Sequence, residues 1–371
     1  QLEWIAVRQV RDARIHRPPH PSHQWRQADC GSHSVSRLLP LLAIALSLYP
    51  GGLASAQPAA PLYESCRLES IFPAGGQRGT TVTVDFFANG NYAGLSEAKD
   101  IVIDGPPGIW VKEIKNLKPH EVRATLEISA DAPPGRRCVR VLNAGSGLTN
   151  MAWFVVGSLP EKMEIEPNNR SALPQDVTIP VVINGHVSPA ADVDVFRFHA
   201  KAGQKLVACI AAHSLDTHGQ GNDYGITDTE LTIVDPEGGV AAEVQDTLGL
   251  DPLAEFTAAS DGQYLVKVQH NSFRGYPQAV YRLTIGEVPI ITSVFPPGGR
   301  RGEKVSVEIH GPNIPVGTRR EIAVPADEKS PVLYLSADGP AAGNHDVPFL
   351  VSDQPEGFEG EPNDEFAGAT K

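Results

Sequence analysis

Beyond its first forty positions the 371-residue chain has no cluster of basic residues, and its formal net charge is −13. Nucleic acid or an anionic membrane needs a concentrated basic face on its partner, so neither is expected. Aromatic residues are scarce at 6%, and no apolar stretch after residue 56 is long enough for a membrane helix, so no membrane insertion of the mature chain is expected. Signatures of catalysis are missing too: there is no Gly-x-Ser-x-Gly nucleophile elbow, no glycine loop that cradles phosphates and no dinucleotide fingerprint. His120-Glu121 begins like a zinc-peptidase helix, but Ala124 stands where the second histidine is needed.

What the chain has in quantity is turn formers. Its 35 Gly and 32 Pro recur between short apolar runs, the pattern of many strands joined by turns, and its length gives room for two or three separate cores. Leu38 to Tyr49 is an apolar run preceded by Arg37 and followed by Ala54-Ser55-Ala56, which reads as a secretory signal over residues 35–56 with its cleavage site. Residues 1–34 lie ahead of that signal and are expected to be disordered, upstream or artefactual sequence. Their His16, His20, His23, Cys30 and His33 fit no closed zinc spacing. The mature chain is expected to be secreted, whether periplasmic, cell-surface or extracellular.

The architecture is read from internal repeats. Ser70 to Phe86 (SIFPAGGQRGTTVTVDF) and Ser293 to Ile309 (SVFPPGGRRGEKVSVEI) share nine of 17 positions. In each, a short strand meets a Pro-x-Gly-Gly turn and then alternates, with Val82 and Val84 in one copy and Val305 and Val307 in the other. A second repeat sets PEKMEIEPNN from Pro160 beside PEGFEGEPND from Pro355. The order is therefore A-B-A-B, all-β, as tandem antiparallel β-sandwiches: residues 57–157, residues 158–288, a shorter module over 289–352, and the truncated start of a further module over 353–371. Within the second module, Val193 and Val195 alternate with Asp192 and Asp194, and Phe196 and Phe198 flank Arg197, turning an aromatic face inward. Tyr264, Val266 and Val268 alternate with Leu265 and Lys267.

The openings SIFPAGG and SVFPPGG resemble the IPT/TIG group of immunoglobulin-like domains, which implies spacer or interaction modules. EIEPNN, DVDVFRFHAKAGQ (Asp192 to Gln204), LTIVDPEGG (Leu231 to Gly239), DGQYLVKV (Asp261 to Val268) and YRLTIG (Tyr281 to Gly286) resemble the bacterial pre-peptidase C-terminal domain, a β-sandwich found beside secreted peptidases and in large surface proteins. The pairing of the two is similar to large planctomycete-type secreted proteins. Residues His213 to Thr227 depart from that family as a Gly-, His- and Asp-rich insertion.

Site candidates follow from chemistry. Glu164, Glu166, Asn168 and Asn169 supply hard oxygens at a density that suits calcium, and alternation along an extended segment stiffened by Pro167 sets Glu164, Glu166 and Asn168 on one side. Glu359, Glu361, Asn363 and Asp364 repeat the run. The family resemblance adds Asp192 or Asp194 as a further ligand, since collagen-binding modules of bacterial collagenases use a similar edge for calcium. The alternative is a capped turn in an acidic linker. His213, Ser214, Asp216 and His218 superficially offer a base, a nucleophile and an orienter, and His213, His218 and Asp223 a metal site, but neighbours in one loop rarely meet catalytic geometry. Arg78 and Arg301, each before a glycine, can bind a partner's carboxylate or pack over the turn. Cys66 and Cys138 are expected to form a disulfide and Cys209 to be a buried free thiol. The function expected is non-catalytic: adhesion, scaffolding or binding of an extracellular polymer, matrix or surface protein. The rivals are an accessory arm of a secreted peptidase and an inert spacer.

Overall fold

The structure, a computed structural model, describes residues 66–90, 94–217, 227–337, 339, 345–355 and 357. The expected leader and pre-sequence, the second acidic run at Glu359 to Asp364, and His218 and Asp223 lie outside these residues. The first module contains β1 (Leu68–Phe72), β2 (Gly75–Gln77), β3 (Thr81–Ala88), β4 (Ala98–Asp104), β5 (Ile109–Lys118), β6 (Glu121–Ile128), β7 (Gly135–Asn143), β8 (Gly147–Leu148) and β9 (Ala152–Gly157). One sheet runs β1-β3-β6-β5 and the other β2-β9-β7-β4, with β8 added on β7. The Pro-x-Gly-Gly turn lies where the chain changes sheets. β1 pairs antiparallel with β3, and β2 then pairs parallel with β9 across the sandwich. A Cβ on Gly75 would lie 2.3 Å from the Val155 carbonyl oxygen, a backbone atom of β9, so β2 lies against its neighbour as closely as only glycine allows.

The second module holds β10 (Glu161–Met163), β11 (Gln175–Asp176), β12 (Val181–His186), β13 (Val193–Ala200), β14 (Lys205–Ala211), β15 (Thr229–Val234), β16 (Val240–Val244), β17 (Leu253–Thr257), β18 (Gly262–His270) and β19 (Val280–Gly286). They form two five-stranded sheets, β10-β12-β19-β14-β17 and β11-β13-β18-β15-β16. Phe196, Phe198, Leu231, Tyr264 and Val266 from one sheet meet Leu283 of β19 from the other in the core between them. The third module is smaller: β20 (Ser293–Phe295), β21 (Gly298–Arg300), β22 (Lys304–His310), β23 (Arg319–Ala323), β24 (Val332–Ser336) and β25 (Asp346–Ser352) give the three-stranded sheets β20-β22-β23 and β21-β25-β24. Its opening turn repeats the sheet change of the first, with β21 parallel to β25. Among the described residues, no helix is long and apolar enough to cross a membrane.

The modules are joined by buried contacts. Leu159 from one linker and Val288 and Ile290 from the other cover the outer face of the second module around Val182, Val207 and Cys209. A short 3-10 turn, His213–Leu215, opens the insertion, and Asp251 caps it by accepting from the backbone nitrogens of Ala212, His213 and Ser214 at 3.0, 2.8 and 3.2 Å. Leu215 is buried in the core of the first module, and Thr217 Oγ1 donates to the carbonyls of Leu68 and Glu69. Arg136 on β7 ties the three modules together. Its Nη1 donates to the Ser214 carbonyl at 2.8 Å, its Nε pairs with Asp346 Oδ1 at 2.6 Å, and its guanidinium lies 5.6 Å from the Trp153 ring and 5.4 Å from the Tyr334 ring.

The expected Cys66–Cys138 disulfide is not formed; both are free thiols. Cys66 precedes β1 and is buried in the first module's core, whereas Cys138 alternates along β7 with the inward Arg137 and Val139 and so faces the other way. Burial pushes the Cys66 thiol up to about 11. Cys209 is a buried free thiol, as expected.

Candidate metal centre

The acidic run leaves the sheet as β10 ends. β10 pairs parallel with β12, and Glu164 continues the contact by donating its backbone nitrogen to the Asn184 carbonyl at 2.9 Å. Asn168 is then held against β13, where its carbonyl accepts from the Val195 nitrogen at 3.1 Å. These two attachments draw the run across the end of the sandwich, from one sheet to the other. β13 alternates without a break in its pairing with β18, so Asp194 shares the inward face with Phe196 and Phe198. A carboxylate is thereby placed at the rim of an aromatic core.

Oxygens of Glu166, Asp192 and Asp194 lie within 4.8 Å of one another. Asp192 and Asp194 are buried, and Glu166 is exposed at the mouth. Asp192 accepts from the Ser188 nitrogen at 2.8 Å through Oδ2 and from Asn169 Nδ2 through Oδ1. Asp194 Oδ2 accepts from the Tyr281 hydroxyl at 2.9 Å, while its Oδ1 has no hydrogen-bond partner among the described residues. Asn168 is 1% exposed, and neither polar atom of its side chain has a partner there. Buried polar atoms left in that state cost about 1–3 kcal/mol each. Of these atoms, a bound cation would satisfy the oxygens, Asp194 Oδ1 and Asn168 Oδ1, but not the Asn168 Nδ2 donor.

Glu164 stands one step behind this group. Its Oε1 accepts from the His186 nitrogen at 2.8 Å and lies 3.2 Å from His186 Nδ1, and its Oε2 accepts from the Tyr281 hydroxyl at 3.2 Å. One phenolic proton is thus shared between Glu164 and Asp194. Gly185, paired directly with Tyr281, makes room for this, because a Cβ there would collide with both the Tyr281 hydroxyl and Glu164 Oε2.

The electrostatics are those of like charges crowded out of water. Burial, then the charges of Glu164 and Asp192, push the Asp194 carboxyl up to about 9. Burial also raises Asp192, and burial with the Asp194 and Glu164 charges lifts the Tyr281 phenol well above its ordinary range. The three carboxylates are hard-oxygen donors of the kind calcium takes, and Glu166 leaves the group open on its exposed side. A transition metal preferring imidazole or thiolate finds neither among these donors.

Of the residues expected at the site, the structure brings together Glu166, Asp192 and Asp194, with Asn169 steadying Asp192 and Asn168 buried and held to β13 by its carbonyl. Glu164 turns to Tyr281 and His186 instead of joining Glu166 on one side, because the parallel pairing with β12 fixes its direction. Tyr281 and His186 carry no local signal in the sequence. His213, Ser214 and Asp216 are engaged in the capped turn and its contacts, with Asp216 Oδ2 accepting from the Thr227 nitrogen at 3.3 Å.

Residues 192–270 match the family model of the bacterial pre-peptidase C-terminal domain. Among solved structures the chain is similar to the pre-peptidase C-terminal domain of a collagenase from Bacillus anthracis, at 19% identity over 32% of this chain and 100% of that one, with a TM-score of 0.24. It is similar to PliG, a periplasmic inhibitor of g-type lysozyme from Aeromonas hydrophila, at 14% identity over 34% of this chain and 99% of that one, with a TM-score of 0.20. It also resembles the Bacteroides ovatus mixed-linkage glucan utilization locus protein SGBP-B, solved with a mixed-linkage heptasaccharide, at 9% identity over 53% and 72% of the two chains and a TM-score of 0.19. Comparison with curated proteins returns no match.

Proposed function

We propose that this is a secreted, non-catalytic string of sandwiches serving adhesion, scaffolding or polymer binding, and that its second module is stabilised by calcium held at Glu166, Asn168, Asp192 and Asp194. The match over residues 192–270 supports a non-catalytic domain for the middle of the chain. The SIFPAGG and SVFPPGG openings support IPT/TIG-like spacer or interaction modules on either side. One observation supports the metal: within a group of three carboxylates, the buried Asp194 Oδ1 lacks a partner.

At this site Asp194 and Asp192 supply charge from the buried end, Asn168 a neutral oxygen, and Glu166 the solvent-facing closure. Tyr281 holds Asp194 in place, and Glu164 holds Tyr281. Calcium would supply the positive charge that lets these carboxylates ionise together. A ligand bound only by the folded state stabilises by about 2.7 kcal/mol at a hundredfold excess over Kd. Calorimetric melting with millimolar calcium should therefore show a rise of several degrees for the wild type and none for Glu166→Ala or Asp194→Asn. An unchanged wild-type melting curve refutes the metal.

A second reading, an accessory arm of a secreted peptidase, is favoured by the same family match. Sequencing the reading frame past Lys371 tests it, since a peptidase domain in frame would establish that role in place of a pure scaffold.

A further inference from the structure

The two arginines that follow the repeated turns are held differently. Arg301 is tied down: its Nη1 pairs with Asp353 Oδ1 at 2.6 Å, and its Nε donates to the Glu328 carbonyl at 2.6 Å. The backbone aligns the copies, because the Arg301 nitrogen donates to the Ser352 carbonyl at 3.0 Å and the Arg78 nitrogen to the Gly157 carbonyl at 2.9 Å. The next residue is Asp353 in the later copy and Ser158 in the earlier one. Arg78 lacks the acidic partner that Arg301 has, and among the described residues the guanidinium of this half-buried side chain makes no hydrogen bond or ion pair.

Arg78 lines an open cleft of about 510 Å³ between the first and third modules, together with Pro134, Arg320, Ile322, Tyr334 and Ser336. Arg320 Nη1 donates to the Ser336 carbonyl at 2.8 Å, which fixes a second cation in the wall. Tyr334 is 41% exposed and offers an aromatic surface. The volume is that of a small-ligand site. Open guanidinium donors suit the two oxygens of a carboxylate, and an aromatic ring beside a hydroxyl suits the mixed faces of a sugar. The net charge of −13 opposes a dense polyanion, so the carboxylates of a fitting polymer must be widely spaced.

We propose that this cleft binds an acidic sugar within a largely neutral polysaccharide, with Arg78 taking the carboxylate. This deepens the polymer-binding part of the function proposed above and rests on it, but it makes no use of the metal centre. Affinity electrophoresis of the full chain, in chelator, tests it with glucuronoxylan and with the same polymer after its carboxylates have been reduced to alcohols. Retardation is expected in the acidic polymer, with an apparent Kd at least about tenfold weaker for the reduced polymer and for Arg78→Ala. Ser158→Asp, which places an acidic residue where the later repeat has Asp353, should weaken binding as Arg78→Ala does. Equal retardation of wild type and Arg78→Ala, or equal binding to both polymers, overturns the cleft and leaves general polymer binding standing. Retention by no polymer, acidic or neutral, removes both. Arg78-dependent binding of a glutamate-rich peptide without binding of glucuronoxylan overturns the polysaccharide assignment.

Discussion

Arg136→Met removes the charge that joins the three modules while keeping most of the side chain's volume. In the wild type the side chains of Arg136 and Asp346 are 11% and 3% exposed, so the variant leaves Asp346 as a buried carboxylate without its partner. Breaking such a pair costs about 3–5 kcal/mol. The hydrogen bond to the Ser214 carbonyl and the placement over Trp153 and Tyr334 are lost as well, but these share one guanidinium and do not add in full. Relaxation of the surroundings of Asp346 offsets part of the cost, so a net loss of about 3 kcal/mol is expected. The third module should feel it most, because its two three-stranded sheets enclose a small core. Differential scanning calorimetry should show a separate, earlier transition for that module, and limited proteolysis should begin there. Asp346→Asn added to Arg136→Met should recover at least half of the loss, since the orphaned carboxylate is then gone. The reasoning is refuted if Arg136→Met melts as the wild type does, or if the second substitution restores nothing.

Other expectations can be checked alongside. Gly185→Ala should destabilise the second module by about 1–3 kcal/mol and blunt the calcium response, because its methyl displaces Tyr281 from Asp194; melts with and without calcium measure both. Leu215→Ala should cost about 2–4 kcal/mol in the first module's transition, although Leu215 belongs by sequence to the second. Burial, with Arg136 adding to it, holds the His345 imidazole below its ordinary range, against the opposing pull of the Ile291 carbonyl, Asp346 and Asp251. The unfolded chain therefore takes up this proton first, and stability is kept above about pH 6.5 and lost as pH falls below it. Melts from neutral to mildly acid pH should show that loss, and His345→Gln should reduce it.

Alternation made the sandwiches legible in the sequence. Tyr264, Val266 and Val268 are buried where the period of two puts them, and the repeated Pro-x-Gly-Gly turns mark the points where β1 and β20 give way to β2 and β21. Composition within Glu164 to Asn169 also pointed to the acidic group, of which the structure brings Glu166 together with Asp192 and Asp194. The role of Glu164 was not legible, because pairing with β12 decides its direction and β12 lies some twenty residues away. Tyr281 was less visible still: a tyrosine at strand spacing looks like core, and its hydroxyl acquires a role only once β19 is laid beside β12. The cysteines were misread for a related reason. Position near opposite ends of one module says nothing of which face of a strand a thiol occupies, and one residue of register separates the two faces. The insertion resembled a loose surface loop because its few apolar residues, Leu215 among them, are scattered among glycines and polar residues, and the burial of Leu215 depends on a neighbouring module.

That burial bears on how the chain matures. The strands of the first module end at Gly157, yet one of the side chains filling its core arrives only with Leu215, after several strands of the second module. During synthesis from the N-terminal end, the first sandwich therefore lacks the Leu215 side chain of its core until its successor has begun to assemble. Folding of the two is consecutive in the chain but mutual in outcome, so a cut between them at residue 158 would leave the upstream piece with an open seam.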